Sequence, residues 1–117
     1  MNEYKRWAAT EEDLKDLTPV KARGMIVNCF FDAQKETFAR AKERLRMPAS
    51  DEDLKKSVTA AVRLAFAECG GAFENPTKEC LMLAVSSLAE KAASWKTPED
   101  IINHHKEQIM LVLGILK

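Results

Sequence analysis

The side chains in this sequence that are best suited to chemistry are two adjacent histidines and three cysteines. They are His104, His105, Cys29, Cys69 and Cys80. Imidazole and thiol groups are common metal ligands, and a cysteine beside a base can act as a nucleophile. Either chemistry requires that these groups converge on one point, so their spacing along the chain decides what to expect.

The spacing does not favour a metal site. Metal ligands on a helix usually lie three or four residues apart, whereas adjacent residues point about 100° apart. The sequence contains no Glu-x-x-His or Cys-x-x-Cys pair. We expect no metal and no other cofactor, with His105 at the edge of the core and His104 in solvent, paired with Asp100. The alternative is a metal held by His105 together with Cys80 or an acid from another helix.

The cysteines are more typical of packing than of catalysis. Their number is odd and their spacing is wide, which favours buried reduced thiols over a disulfide framework. The N-terminal stretch MNEYKRWAATEEDLKDL lacks an export signal, so we expect a cytoplasmic protein. Only tertiary structure could bring a cysteine to a histidine. No catalytic residue is therefore predicted, and an enzyme is not favoured.

Composition indicates one compact soluble domain over residues 1–117. The chain is 46% hydrophobic and 31% charged, and its 18 basic and 18 acidic residues cancel. This length and balance suit a compact domain with its own core. A neutral chain has no overall field to attract nucleic acid or anionic lipid.

Helix-start patterns recur five times along the chain. Each is a Ser or Thr followed by an acid or a proline in the first turn, at Thr10, Thr18, Ser50, Thr77 and Thr97. Glycine- or proline-containing stretches mark the stops, among them Gly70 and Gly71, which suit left-handed helix ends. The predicted helices lie near 10–17, 18–47, 50–69, 77–95 and 98–116, the first being a short turn.

These patterns predict an all-α fold. Period-two alternation is absent, and each long helix carries an apolar stripe at three- and four-residue spacing. Short connections between the last three helices favour an up-down four-helix bundle. The helix at 18–47 would be about 45 Å long against about 30 Å for a 20-residue partner, so its far end overhangs.

Unpaired apolar length predicts self-association. The overhanging end and the apolar run at 109–116 both need a covering surface, and the run is far shorter than the ~20 residues that span a membrane. We therefore predict a small interaction or accessory protein that forms a homodimer or binds another protein. The candidate interface residues are Phe38, Leu45, Met110, Leu111 and Leu113.

Two other functions remain open. Aromatic residues between helices would suit an apolar or amphipathic small molecule, with one imidazole as a polar contact. The candidate pocket residues are Phe30, Phe31, Phe66 and His105.

A third function is binding of nucleic acid or an acidic partner. Residues 35–47 carry a local excess of three positive charges. The candidate basic face is Lys35, Arg40, Lys42, Arg44 and Arg46. Cations also gather at helix C-termini for electrostatic reasons, and Glu36 with Arg40 is an ordinary i,i+4 pair. Nucleic acid is therefore the less favoured partner.

Overall fold

A computed structural model of the chain describes residues 6–41, 50–71 and 73–116. Five helices lie in these residues and no strand does, which confirms the all-α prediction. The helices are α1 (Glu11–Leu14), α2 (Pro19–Ala41), α3 (Asp51–Glu68), α4 (Lys78–Ser94) and α5 (Glu99–Ile115). The predicted end of the long helix, near residue 47, lies outside the described residues.

Four of the five predicted capping residues are confirmed. The Thr10 hydroxyl accepts the Asp13 backbone N–H, and the Asp13 carboxylate accepts the Thr10 backbone N–H, which forms a capping box. Thr18, Ser50 and Thr77 each accept a backbone N–H three residues ahead. These caps satisfy donors that a helix N-terminus leaves free.

The fifth helix begins at Glu99, close to the predicted residue 98, but its predicted cap was wrong, because Thr97 closes α4 and does not cap α5. Lys96 takes a left-handed conformation with φ 67°, and the Thr97 backbone N–H donates to the Ala92 carbonyl oxygen. The buried Thr97 hydroxyl lies 3.1 Å from Gln34 Nε2, which donates to it. Pro98 directly precedes α5 and supplies no side-chain cap.

The left-handed residue after α4 gives a stability prediction. Replacing Lys96 with glycine should raise the free energy of unfolding by about 0.5–1 kcal/mol, since a left-handed backbone disfavours any Cβ. Gly70, at φ 73° after α3, is the matched control, and Gly70→Ala should lower stability by a similar amount. Urea titration of both variants measures the change. A lower midpoint for Lys96→Gly would contradict the prediction.

The long helices enclose one core. Helix α2 packs against α3 and α5, and α4 packs against the same two helices. The largest fully buried side chains are Phe66, Ile26, Leu81, Leu88, Ile101 and Ile109. In the described part of the chain, no helix has the length and hydropathy needed to cross a membrane.

A cation-π cluster holds the loop between α3 and α4. The guanidinium carbons of Arg23 and Arg63 lie 4.6 Å and 4.2 Å from the centre of the Phe73 ring. Arg23 also donates to the Phe73 carbonyl oxygen. The Phe73 ring meets Phe66 edge-on, with centroids 5.6 Å apart. These contacts, which we call the Phe73 clamp, tie the loop to both α2 and α3.

Candidate functional site

The contact between α2 and α5, which we call the seam, gathers the buried polar groups of the described residues. Those groups are Gln34, Thr37, Thr97 and His105. They lie on α2, on α5 or in the turn before α5. Buried polar atoms normally have hydrogen-bond partners, so their contacts show which of them are structurally satisfied. Thr37 donates to the Ala33 carbonyl oxygen, and Gln34 and Thr97 bond to each other.

At the centre of the seam, Cys29 and His105 form a buried pair. The distance from Cys29 Sγ to His105 Nδ1 is 3.1 Å, and Sγ also lies 3.6 Å from the His105 carbonyl oxygen. Their exposed fractions are 0% and 1%. The alternative raised from the sequence paired His105 with Cys80, but in the structure the cysteine beside His105 is Cys29. In the described residues, no three His, Cys, Asp or Glu side chains are grouped so that they could hold a metal ion.

Burial keeps this pair neutral at pH 7. Loss of hydration raises the pKa of the Cys29 thiol far above its ordinary value, and the charge of Asp32 adds to the effect. Burial also lowers the pKa of His105 to about 4, with a smaller contribution from His104. The thiolate, and not the neutral thiol, is the nucleophilic form of cysteine. The buried pair is therefore not an activated nucleophile.

One atom of the pair has no partner. His105 Nε2 is buried without a hydrogen bond. If Nδ1 carries the proton, it donates to Cys29 Sγ and the thiol can donate to the His105 carbonyl oxygen. In the other tautomer the thiol would donate to Nδ1 and not to the carbonyl oxygen, so the pair would have one hydrogen bond in place of two. We therefore assign the proton to Nδ1, which leaves a free lone pair on Nε2.

Four charged side chains close one end of the seam. Arg6 Nε lies 2.9 Å from Glu36 Oε1, and Arg6 Nη2 lies 2.6 Å from Asp100 Oδ2. Arg40 contacts the same two carboxylates at 2.6 Å and 2.9 Å. Hydrogen bonds from Arg40 and Arg6 lower the pKa of Asp100 to about 2. Burial alone would raise the pKa of Glu36, but its two arginine partners outweigh burial and lower it.

His104 does not pair with Asp100 as predicted, because the two arginines already occupy that carboxylate. The half-buried His104 ring instead places Nε2 3.1 Å from the Trp7 carbonyl oxygen. Its ring lies edge-on to His105, with centroids 5.1 Å apart. No periodic pattern in the first ten residues indicated that Arg6 and Trp7 would reach this site.

The candidate basic face is partly neutralised. Arg40 is bound to Glu36 and Asp100, as described above. Lys35 Nζ lies 3.3 Å from Asp51 and 5.2 Å from the centre of the Phe31 ring. A phosphate would have to compete with these carboxylates. The other three residues of the face, Lys42, Arg44 and Arg46, lie outside the described residues.

The candidate pocket residues belong to the packed interior. Phe30, Phe66 and His105 are buried, and the half-buried Phe31 packs against the same core. A shallow depression on the exposed face of α3 shares none of these residues. It is lined by Glu52, Lys55, Lys56, Thr59, Ala60 and Arg63.

The candidate self-association residues fall into four groups. Leu111 is 59% exposed, whereas Leu113 is 1% exposed and packs into this chain's own core. Leu113 faces inward because the buried stripe of α5 widens in its last turns to include Val112 and Leu113 together. Met110 and Phe38 are partly buried and pack against the core. Leu45 lies outside the described residues.

The sequence prediction also missed one exposed residue of α5. Ile115 is 51% exposed and lies four residues after Leu111, which places both side chains on one stripe of the helix. Gly114, next to Ile115, is exposed, and a Cβ at that position would have no neighbour within 4 Å. The i,i+4 spacing was the signal that could have identified Ile115.

Comparison of the chain with protein-family models, curated proteins and solved structures finds no match.

Proposed function

We propose that this protein is a small cytoplasmic interaction module that pairs with a second copy of itself. The surface used is Leu111 and Ile115, which we call the α5 stripe. The observation that carries the proposal is the exposure of both large aliphatic side chains in a stretch, 108–116, that has no charged residue. Exposed apolar side chains that share one helical face are typical of protein contact sites.

The chemistry of the stripe suits a second copy. In an interface with two-fold symmetry, residues close to the axis lie near their own equivalents, so a charge at that position would meet a like charge. The 108–116 stretch avoids this repulsion. Gly114 leaves room beside the stripe for close approach of another helix. A net charge of zero also favours association of copies over mutual repulsion.

The size of the α5 stripe sets the expected affinity of the dimer. Stable interfaces bury about 800 Å² on each partner, and two side chains supply only part of that area. We therefore expect a reversible dimer with a Kd of about 1 μM or weaker.

Sedimentation velocity from about 5 to 500 μM tests the proposal. The double variant Leu111→Glu, Ile115→Glu should remain monomeric throughout, because the dimer would then bring like charges together in a desolvated contact. Leu64→Glu is the matched control. Leu64 is 55% exposed on α3, so its substitution should leave the dimer unchanged.

Two results would refute the proposal. One is a monomeric parent chain across the whole concentration range. The other is an equal loss of dimer in the Leu64→Glu control, which would show that the effect of the glutamates is not specific to α5.

The unpartnered Nε2 of His105 favours a second candidate, binding of a small molecule that carries a hydrogen-bond donor. Native mass spectrometry of the freshly purified protein would detect such a retained ligand.

The up-down arrangement of the four long helices also stays a proposal. It is supported by the contacts α2 makes with α3 and α5, and by those α4 makes with the same helices.

A further inference from the structure

The N-terminal strap, residues 6–17, lies across the seam. At its first residue, the Arg6 guanidinium reaches Glu36 on α2 and Asp100 on α5. One residue later, the Trp7 carbonyl oxygen contacts His104 on α5. The strap therefore touches both helices that enclose the Cys29 and His105 pair.

The other end of the strap is held near the start of α2. Lys21 Nζ donates to the carbonyl oxygens of Glu12 and Lys15, at 3.2 Å and 2.7 Å. Between the two ends, apolar strap residues pack against the core; they are Trp7, Ala9, Leu14 and Leu17. Cys29 lies midway between Lys21 and Glu36, and it is seven residues before Glu36 on the same stripe of α2. The strap thus runs along the part of α2 that includes Cys29.

The strap contains one left-handed residue and little regular structure of its own. Asp16 has φ 53°, a left-handed conformation that is unusual for a residue other than glycine. It lies between α1 and α2, and α1 is only four residues long. Segments with few internal hydrogen bonds and partly buried side chains open at lower free energy than a core.

We propose that the strap turns about Asp16 when the Arg6 contacts break, and that this exposes Cys29 and His105 while the helical core stays folded. The structure thereby carries a covered site for a soft electrophile at Cys29, beside an imidazole with a free lone pair. This inference is independent of the α5 stripe.

Iodoacetamide is a suitable probe of the covered thiol. Its reaction with Cys29 forms a sulfur–carbon bond, releases iodide and passes the thiol proton to the buffer. Peptide mass spectrometry then reports the rate at each cysteine separately. Cys80, buried in the first turn of α4, serves as an internal reference for opening of the core.

The deciding variant is Arg6→Gln. Because Arg6 is partly exposed, its replacement removes the ion pairs with Glu36 and Asp100 without creating a cavity. We expect alkylation of Cys29 to become about tenfold faster. This change corresponds to lowering the free energy of opening the strap by about 1.4 kcal/mol. Alkylation of Cys80 should not change. The matched control is Lys91→Gln, which removes a cation and its contact with Glu68 away from the seam and should leave Cys29 as slow as in the parent chain.

Two outcomes would overturn the proposal. The first is an unchanged rate at Cys29 in Arg6→Gln, which would show that Arg6 does not hold the cover. The second is an equal increase at Cys29 and Cys80, which would show that the whole core opens and that the strap does not move by itself.

Discussion

Lowering the pH from 7 to 4 should reduce the free energy of unfolding by about 3 kcal/mol through His105 alone. The ordinary histidine pKa of 6.5 applies to the unfolded chain, whereas burial lowers the pKa of His105 to about 4 in the folded protein. Between these values the unfolded chain binds more protons, so stability falls as the pH falls. The contribution is complete above pH 6.5 and is lost progressively down to about pH 4.

Urea titrations at pH 7, 6, 5 and 4 measure this loss. His105→Gln should show a flatter profile between pH 6.5 and 4.5 than the parent chain. The carboxylates of Glu36 and Asp100, whose pKa values are lowered, lose their contribution mainly below pH 4.5. An NMR titration of the His105 imidazole measures its pKa without substitution. A His105 pKa near 6.5 would contradict the prediction.

Truncation of Phe66 should have a comparable effect. The side chain is fully buried and meets the Phe73 ring edge-on. Phe66→Ala removes that contact and leaves a cavity, so we expect a loss of about 3–5 kcal/mol in the free energy of unfolding. Phe31→Ala is the matched control. Its ring is only half-buried and lies beside Lys35, so the loss should be clearly smaller.

This comparison also separates a packed core from a ligand pocket. If Phe66 lined an open cavity, its truncation would cost little, because few atoms would lose contacts. Urea unfolding at pH 7 measures both variants. A loss for Phe66→Ala no larger than that for Phe31→Ala would contradict the packed arrangement and favour the small-molecule hypothesis.

The sequence predicted the parts of the fold that depend on neighbouring residues. A capping hydroxyl and the N–H it accepts are three residues apart, so the starts at Thr10, Ser50 and Thr77 were visible in the sequence. Thr97 has the same pattern, but its hydroxyl partner, Gln34, is 63 residues away. The residues near Thr97 in the sequence could not indicate that its hydroxyl would bind Gln34 and not a helix N-terminus.

The candidate site was beyond sequence prediction for the same reason. Cys29 and His105 are 76 residues apart, and Arg6 meets Asp100 across 94 residues. Only the Glu36 and Arg40 pair, at helical spacing, was foreseen in this region. Within α5 the long apolar run hid which residues face outward. Leu111 and Leu113 looked equivalent in the sequence, although only Leu111 is exposed.

The Phe73 clamp and the Arg6 contacts differ in how ionic strength acts on them. Salt reduces the range of interactions between exposed charges from about 8 Å at 0.15 M to about 3 Å at 1 M. A guanidinium packed against an aromatic ring also gains from dispersion and from the exclusion of water, which salt does not weaken. Concentrated salt therefore loosens the strap while the loop between α3 and α4 stays closed. The strap and this loop thus respond separately to their solvent.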